Sequence, residues 1–286
     1  MKIITDSTAD LPRELALKYD IEIVPLTIHL GDKSWKDYYD VEPDEYYEIL
    51  NRTSAFPTTS QPTPQDFVNA YSPFVEKGES ILSIHLSSRL SGTFQSALLA
   101  RSKFPEARIE VVDSLQASFA LSTIILICAK KANQGASLED IADIARQIGS
   151  QIETYFSVDS LDYLHRGGRI GKAQAFLGNL MKIKPLLKLV KGEVQPVEKI
   201  RTRDRLLNRF VELVEMTVRE NSRLLLAVAE SDNSEVMTVL LERLVNIPGV
   251  SQVFRGKIGG VITSHVGPGA LGIAFVNDSF GSLKLD

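Results

Sequence analysis

The sequence predicts an α/β protein of two domains. The first is a three-layer α/β/α unit on a parallel sheet, the second a two-layer α/β unit on a mixed sheet. Three observations carry this reading. Short apolar, β-branched runs (KIIT, ILSIHL, RIEVV) alternate with segments of helical spacing as far as Gly149, the rhythm of strands joined by crossover helices. The runs are apolar throughout rather than every second residue, as in strands buried on both faces. Beyond Thr154 the rhythm changes: two short strands, 185–190 and 193–200, flank a hairpin-type turn at Lys191-Gly192, so antiparallel pairs join the sheet. The expected domains are 1–152 and 153–286.

In order, residues 2–5 read as the first strand, and Asp10 is placed to cap a helix with Pro12 in its first turn. Residues 21–30 read as one second strand, with Pro25 marking a bulge or an edge. A GDKS turn and a short helix at 43–51 follow. The stretch FPTTSQPTPQDF, 56–67, has three prolines that stiffen it and reads as a rigid surface loop, with Thr63 capping a helix from Pro64. Residues 108–113 form another buried strand, and 116–133 a long apolar helix. Ser137 caps a further helix whose inner face carries Ile141, Ile144, Ala145 and Ile148. In the second half, 154–160 is a strand, and 161–181 is helical with a break at Gly167-Gly168. Helices at 202–220 and 233–246 and strands at 223–230, 252–257 and 271–276 complete the chain.

Composition narrows the function. The chain of 286 residues is 44% hydrophobic and 24% charged, with a net charge of −4, so nothing attracts it generally to nucleic acid or to a membrane surface. Cys128 is the only cysteine, set in the apolar run FALSTIILICA; it reads as a small buried hydrophobe, and that run is too short to span a bilayer. Asp6 and Asp10 stand where a signal peptide would be apolar, so a cytoplasmic protein is expected. Histidines lack metal-ligand spacing, and no phosphate-binding loop or dinucleotide fingerprint is present. No metal or cofactor is expected.

The chemistry concentrates in two places. Between the strand SILSIHL and the helix TFQSALLA lies SSRLSG, a tight turn that brings Ser87, Ser88, Ser91, Gly92 and Thr93 to a helix N-terminus. Unpaired helix N–H groups and hydroxyls around one small volume suit an anion, phosphate or carboxylate. A single serine would be explained as a helix cap; this many polar groups exceed what a cap requires. Near the end of the chain, His265 stands between a polar helix end and a Gly-Pro-Gly turn, a setting for a donor to a bound anion. From Arg166 to Arg209, 12 Lys or Arg face three acids, a basic segment suited to an acidic partner or to phosphate.

Together and in this order, TDSTAD, TTSQPTP, SSRLSGTFQSA, the Asp113-Ser114 step, LHRGGRI and HVGPGALG resemble the DegV family, among them the FakB fatty acid-binding proteins. The resemblance runs over essentially the whole chain. It implies a long-chain fatty acid in an interdomain tunnel, its carboxylate held by Thr59, Ser60, Ser91, Gly92, Thr93 and His265, with the hydroxyl used in the 58–60 segment open by one residue. It further implies an ATP-dependent fatty acid kinase as partner, which phosphorylates the presented carboxylate to an acyl phosphate for phospholipid synthesis, so that this chain is the lipid-binding subunit and not the catalyst. Arg166, Arg169 and Arg201 are the candidates for kinase docking or phosphate neutralisation. Leu26, Ile28, Phe94 and Ile262 are candidates to line the tail. Two rivals remain. A phosphosugar-binding or regulatory module would need polar walls beyond the turn. A serine hydrolase built from Ser91, His265 and Asp6 or Asp113 lacks the Gly-x-Ser-x-Gly elbow.

Overall fold

The computed structural model describes residues 1–177, 183–221 and 223–281. β1 (Lys2–Asp6) leads through a 3-10 turn (Ser7–Ala9) into α1 (Arg13–Lys18) and β2 (Ile21–Val24). Next come β3 (Thr27–Leu30), β4 (Lys33–Lys36), α2 (Pro43–Asn51), β5 (Thr58–Ser60) and α3 (Pro64–Val75). β6 (Ile81–His85), α4 (Thr93–Arg101), β7 (Ile109–Asp113), α5 (Ser118–Asn133) and α6 (Leu138–Gln151) complete this half. Four of these strands make a wholly parallel sheet in the order β2-β1-β6-β7, covered on one side by α3 and α4 and on the other by α5 and α6. The expected α/β/α layering is present.

β8 (Glu153–Ser157), α7 (Asp162–Arg166), β9 (Lys184–Val190), β10 (Glu193–Ile200), α8 (Arg203–Asn221), β11 (Leu224–Glu230), α9 (Ser234–Leu244), β12 (Val250–Lys257), α10 (Gly260–Val266) and β13 (Leu271–Asn277) follow. All six strands join one mixed sheet, β10-β9-β8-β13-β11-β12, in which β11–β12 is the parallel pair. α8 and α9 cover one face through Phe210, Val214, Leu240 and Leu244. The other face meets α5. This helix is buried continuously from Phe119 to Ala129, including Cys128, because it lies between the two sheets. A helix apolar on all sides needs such a place.

Three expectations change. Residues 21–30 are two strands in two sheets, not one. Pro25 has no N–H for the ladder; the chain leaves the parallel sheet there, and Leu26 N–H donates instead to Ser7 Oγ at 3.1 Å. β3 then pairs antiparallel with β4 and with β5, so the TTS of the proline-rich stretch is a strand and not a loop. Asp10 does not cap α1. Pro12 occupies the cap position without a side-chain bond, while Asp10 adopts a left-handed conformation and turns inward to accept from Ser118 Oγ at 2.5 Å. The Thr63 cap does form, as a reciprocal capping box with Asp66. The break expected at Gly167-Gly168 within 161–181 is present: α7 ends at Arg166 and a 3-10 segment (Gly171–Phe176) follows, while 178–181 lie outside the described residues.

Candidate ligand cavity

An apolar cavity of about 330 Å³ lies between α5 and the six-stranded sheet. The sheet makes room for it by residue size. Across the strands, Ala227 pairs with Ala274 and Ala274 with Thr154; one register step along, Ala229 pairs with Gly272 and Gly272 with Phe156. Because alternate residues share a face, the small side chains form a shallow trough under the helix. Opposite stand Ala117, Phe119 and Ala120 from the start of α5, and Ile258 and Ile262 close the side.

Polar groups gather where β5, the β6–α4 turn, α7 and α10 meet. Thr59, Ser60, Ser91, Arg169 and His265 all border the cavity there. Thr59 Oγ1 lies 2.7 Å from His265 Nε2. Ser91 Oγ is 2.9 Å from Thr93 Oγ1 and accepts from Thr93 N–H at 3.3 Å. Gly92 is the N-cap of α4 and supplies no side chain, so the first amides of that helix have no intrahelical acceptor. Gly92 and Thr93 stand behind Ser91 rather than on the cavity wall, and Thr93 is fully buried. Ser60 is turned partly away, its hydroxyl 2.9 Å from His29 Nε2.

His265 is neutral. Burial pushes its imidazole down to about 4, and the Arg169 guanidinium acts in the same direction. Its Nδ1 is buried without a hydrogen-bond partner. An unpaired buried N–H costs more than an unpaired lone pair, so the proton belongs on Nε2, directed at Thr59. The hydroxyl of Thr59 can then donate onward. Arg169 ties the site together: Nε donates to Leu90 O at 3.0 Å and Nη1 to Gly167 O at 2.6 Å. Ser87 Oγ donates to Gly192 O at 2.8 Å, fixing the β9–β10 turn against the serine-rich turn.

Of the apolar candidates, Leu26 and Ile262 line the cavity. Ile28 packs instead with Tyr46 and Val261 beneath the small sheet, and Phe94 packs with the α3–α4 layer. Arg166 is exposed and lies over the Phe56 ring, 5.1 Å from its centroid, and Arg201 is exposed. Much of the basic segment is neutralised locally, as in Lys184–Asp159, Lys188–Glu153 and Arg209–Glu198. Sequence reasoning missed the trough, whose signal was the Ala-x-Ala of β11, Ala227 and Ala229, and the Gly-x-Ala of β13, Gly272 and Ala274. Gln61, a polar group of the same stretch as Thr59 that was not among the expected site residues, also lines the cavity, its amide packed against the bare Cα of Gly92.

The groups of a hydrolytic triad do not assemble. Ser91 bonds Thr93 and His265 bonds Thr59. Asp6 is engaged by His85 at 3.0 Å, and Asp113 accepts from the Ser88 and Leu115 amides. Among the described residues there is no cluster of three or more metal-ligating side chains, and no helix long and apolar enough to cross a membrane.

Comparison with known proteins decides the family. The family model for DegV, described as a family of uncharacterised proteins, matches residues 1–278. The chain belongs to the DegV family. A relative from Thermotoga maritima, named a fatty acid-binding protein, is 35% identical, the match covering 95% of this chain and 96% of that one. A DegV family protein from Thermus thermophilus, its structure described as one of fatty acid binding, superposes with a TM-score of 0.91 at 33% identity, over 96% of this chain and 99% of that one. A stearic acid-binding protein from Eubacterium ventriosum gives 0.85 at 27% identity, over 96% and 98%. The DegV architecture, a parallel sheet and a mixed sheet enclosing α5, is the one described above.

Proposed function

We propose that this protein binds a long-chain fatty acid, its acyl tail in the cavity over the small-residue trough and its carboxylate at the Thr59–Ser91–His265 end. The observation that carries this is the pairing of a largely apolar cavity of about 330 Å³ with a cluster of polar groups, Thr59, Ser91, Arg169 and His265, on its wall. Burying a methylene is worth roughly 0.8 kcal/mol, so a tail of ~14 methylenes contributes about 11 kcal/mol before ordering costs. Desolvating the carboxylate costs several kcal/mol. Hydrogen bonds from the Thr59 and Ser91 hydroxyls offset that cost. The tail supplies affinity and the head supplies orientation. The apolar walls disfavour a phosphosugar, whose hydroxyls would be left unpaired.

Organic extraction of the purified protein followed by mass spectrometry tests this. About one long-chain fatty acid per chain is expected; an empty protein that also refuses added fatty acid refutes the reading. Ser91→Ala should lower that occupancy. We further propose that the bound carboxylate is presented to a fatty acid kinase and leaves as an acyl phosphate, with the exposed Arg166 and Arg201, and Arg169 at the cavity end, meeting the kinase or the phosphate. With the division at residue 152, Thr59, Ser91 and the α5 wall come from the first domain and His265 and the trough floor from the second, so the ligand would lie at their junction. Incubating the loaded protein with a purified fatty acid kinase and ATP, and trapping acyl phosphate as the hydroxamate, checks this step. No product above the protein-free background would refute it.

A further inference from the structure

Along its β12 side, the trough ends on an aromatic ring. Phe119, in the first turn of α5, borders the cavity and is almost fully buried. Its ring rests on Gly256 of β12: a Cβ built on Gly256 would fall on Phe119 Cζ and Cε1, far inside van der Waals contact. The same ring packs against Phe254 with centroids 5.1 Å apart. Neither Phe254 nor Gly256 reaches the cavity; Phe119 stands between them and it. The strand register extends the trough in this direction, since Ala227 pairs with Phe254 and Ala229 with Gly256. Of the two rows of small residues, one therefore meets a phenylalanine at β12. The other meets a glycine that is bare only because a phenylalanine covers it.

We propose that Phe119, seated on Gly256, is the residue that sets how far a bound acyl chain extends towards the β12 edge, and so selects its length and bend. This rests on the fatty acid reading above. The glycine is part of the device. Its backbone lies outside the left-handed region, so alanine is conformationally acceptable there, and the methyl can act only by pushing the Phe119 ring off the strand. The strand backbone cannot yield, whereas the cavity is open space, so the ring moves into the cavity and shortens the available path. Removing the ring does the opposite and opens the floor above Gly256.

The test is a competition. Delipidated full-length protein is offered an equimolar mixture of saturated fatty acids from dodecanoic to docosanoic, with their cis-monounsaturated counterparts, and the bound fraction is extracted and weighed by mass spectrometry. Phe119→Ala, or the milder Phe119→Leu, should shift the bound population towards longer or cis-bent chains by about two carbons or more. Gly256→Ala should shift it towards shorter, straight chains. In the Phe119→Ala background, Gly256→Ala should have no further effect, because the methyl has lost the ring through which it acts. Wild-type protein that binds fatty acid, with length profiles unchanged in Phe119→Leu and Gly256→Ala, would overturn this proposal alone. Wild-type protein that binds none of the mixture would overturn the fatty acid reading and this proposal with it.

Discussion

Replacing Asp37 by asparagine should flatten the fall of stability with pH. Asp37 is 3% exposed, and its Oδ1 accepts from Gly260 N–H, at the start of the helix that carries His265, at 3.1 Å. Burial raises its pKa from 3.8 to about 6, in spite of hydrogen bonds from Ser7 and from the amides of Val261, Gly260 and Tyr38. A folded pKa above the unfolded one means that the native state holds the proton more tightly. The contribution is therefore present in full below pH 3.8 and is lost as pH rises through 6. A separation of that size is roughly 3 kcal/mol. Asp10, also raised mainly by burial, contributes with the same sign. His265 opposes both: its depressed pKa gives a contribution present above 6.5 and lost as pH falls through 4. Urea midpoints measured between about pH 4 and pH 7.5 separate these groups. Asparagine keeps an oxygen for Gly260 N–H but cannot ionise, so Asp37→Asn should lose up to roughly 3 kcal/mol of the decline seen in the wild type. His265→Gln should steepen it. Equal slopes for wild type and Asp37→Asn would refute the argument that this carboxyl is buried at a cost.

Other expectations are more local. Thr59→Val keeps the β-branched shape that β5 favours and removes the hydroxyl facing His265. It should weaken fatty acid binding about 10- to 100-fold, corresponding to roughly 1.5–3 kcal/mol for a lost charge-assisted bond, as read by displacement of a fluorescent fatty acid. Gly192→Ala places a methyl on Ser87 Oγ at a φ of +81°. It should lower stability by about 1–3 kcal/mol and leave the hairpin turn undocked, seen as faster hydrogen exchange in β9 and β10. Thr63→Ala breaks the capping box of α3 and should cost about 1 kcal/mol in a melt while leaving ligand content unchanged.

The parts of this protein that were legible in its sequence are those fixed by short-range chemistry. Apolar runs gave β1, β6 and β7, serine and threonine at the right offset gave the caps of α6 and α3, and the crowding of hydroxyls singled out Ser91, which borders the cavity. What was not legible depends on long-range pairing. Pro25 announced an interruption, but not that the chain would change sheets across it. Asp10 had the sequence signature of a cap; its actual partner, Ser118, is 108 residues away. Ile28 and Phe94 were as apolar as Leu26 and Ile262, and only strand register and helix rotation decide which of them meets the cavity. His265 borders the cavity, next to the Gly-Pro-Gly turn that marked it in the sequence, but its partner Thr59 lies 206 residues away.

The position of β13 has a consequence for how the molecule comes into being. It is the last strand among the described residues, yet it lies between β8 and β11, hydrogen-bonded to both. A ribosome delivers β8 more than a hundred residues before the strand it must pair with, so during synthesis the mixed sheet exists as two unjoined halves. One face of α5 waits with it, apolar and uncovered. Contacts of such long range make folding slow and leave the nascent chain open to misassociation. A chain halted before Leu271 would hold every residue of the polar cluster and still have no trough, because half of the trough floor, Gly272 and Ala274, would be missing. The floor of the cavity is therefore completed only once Leu271–Asn277 has been made and has paired with both β8 and β11.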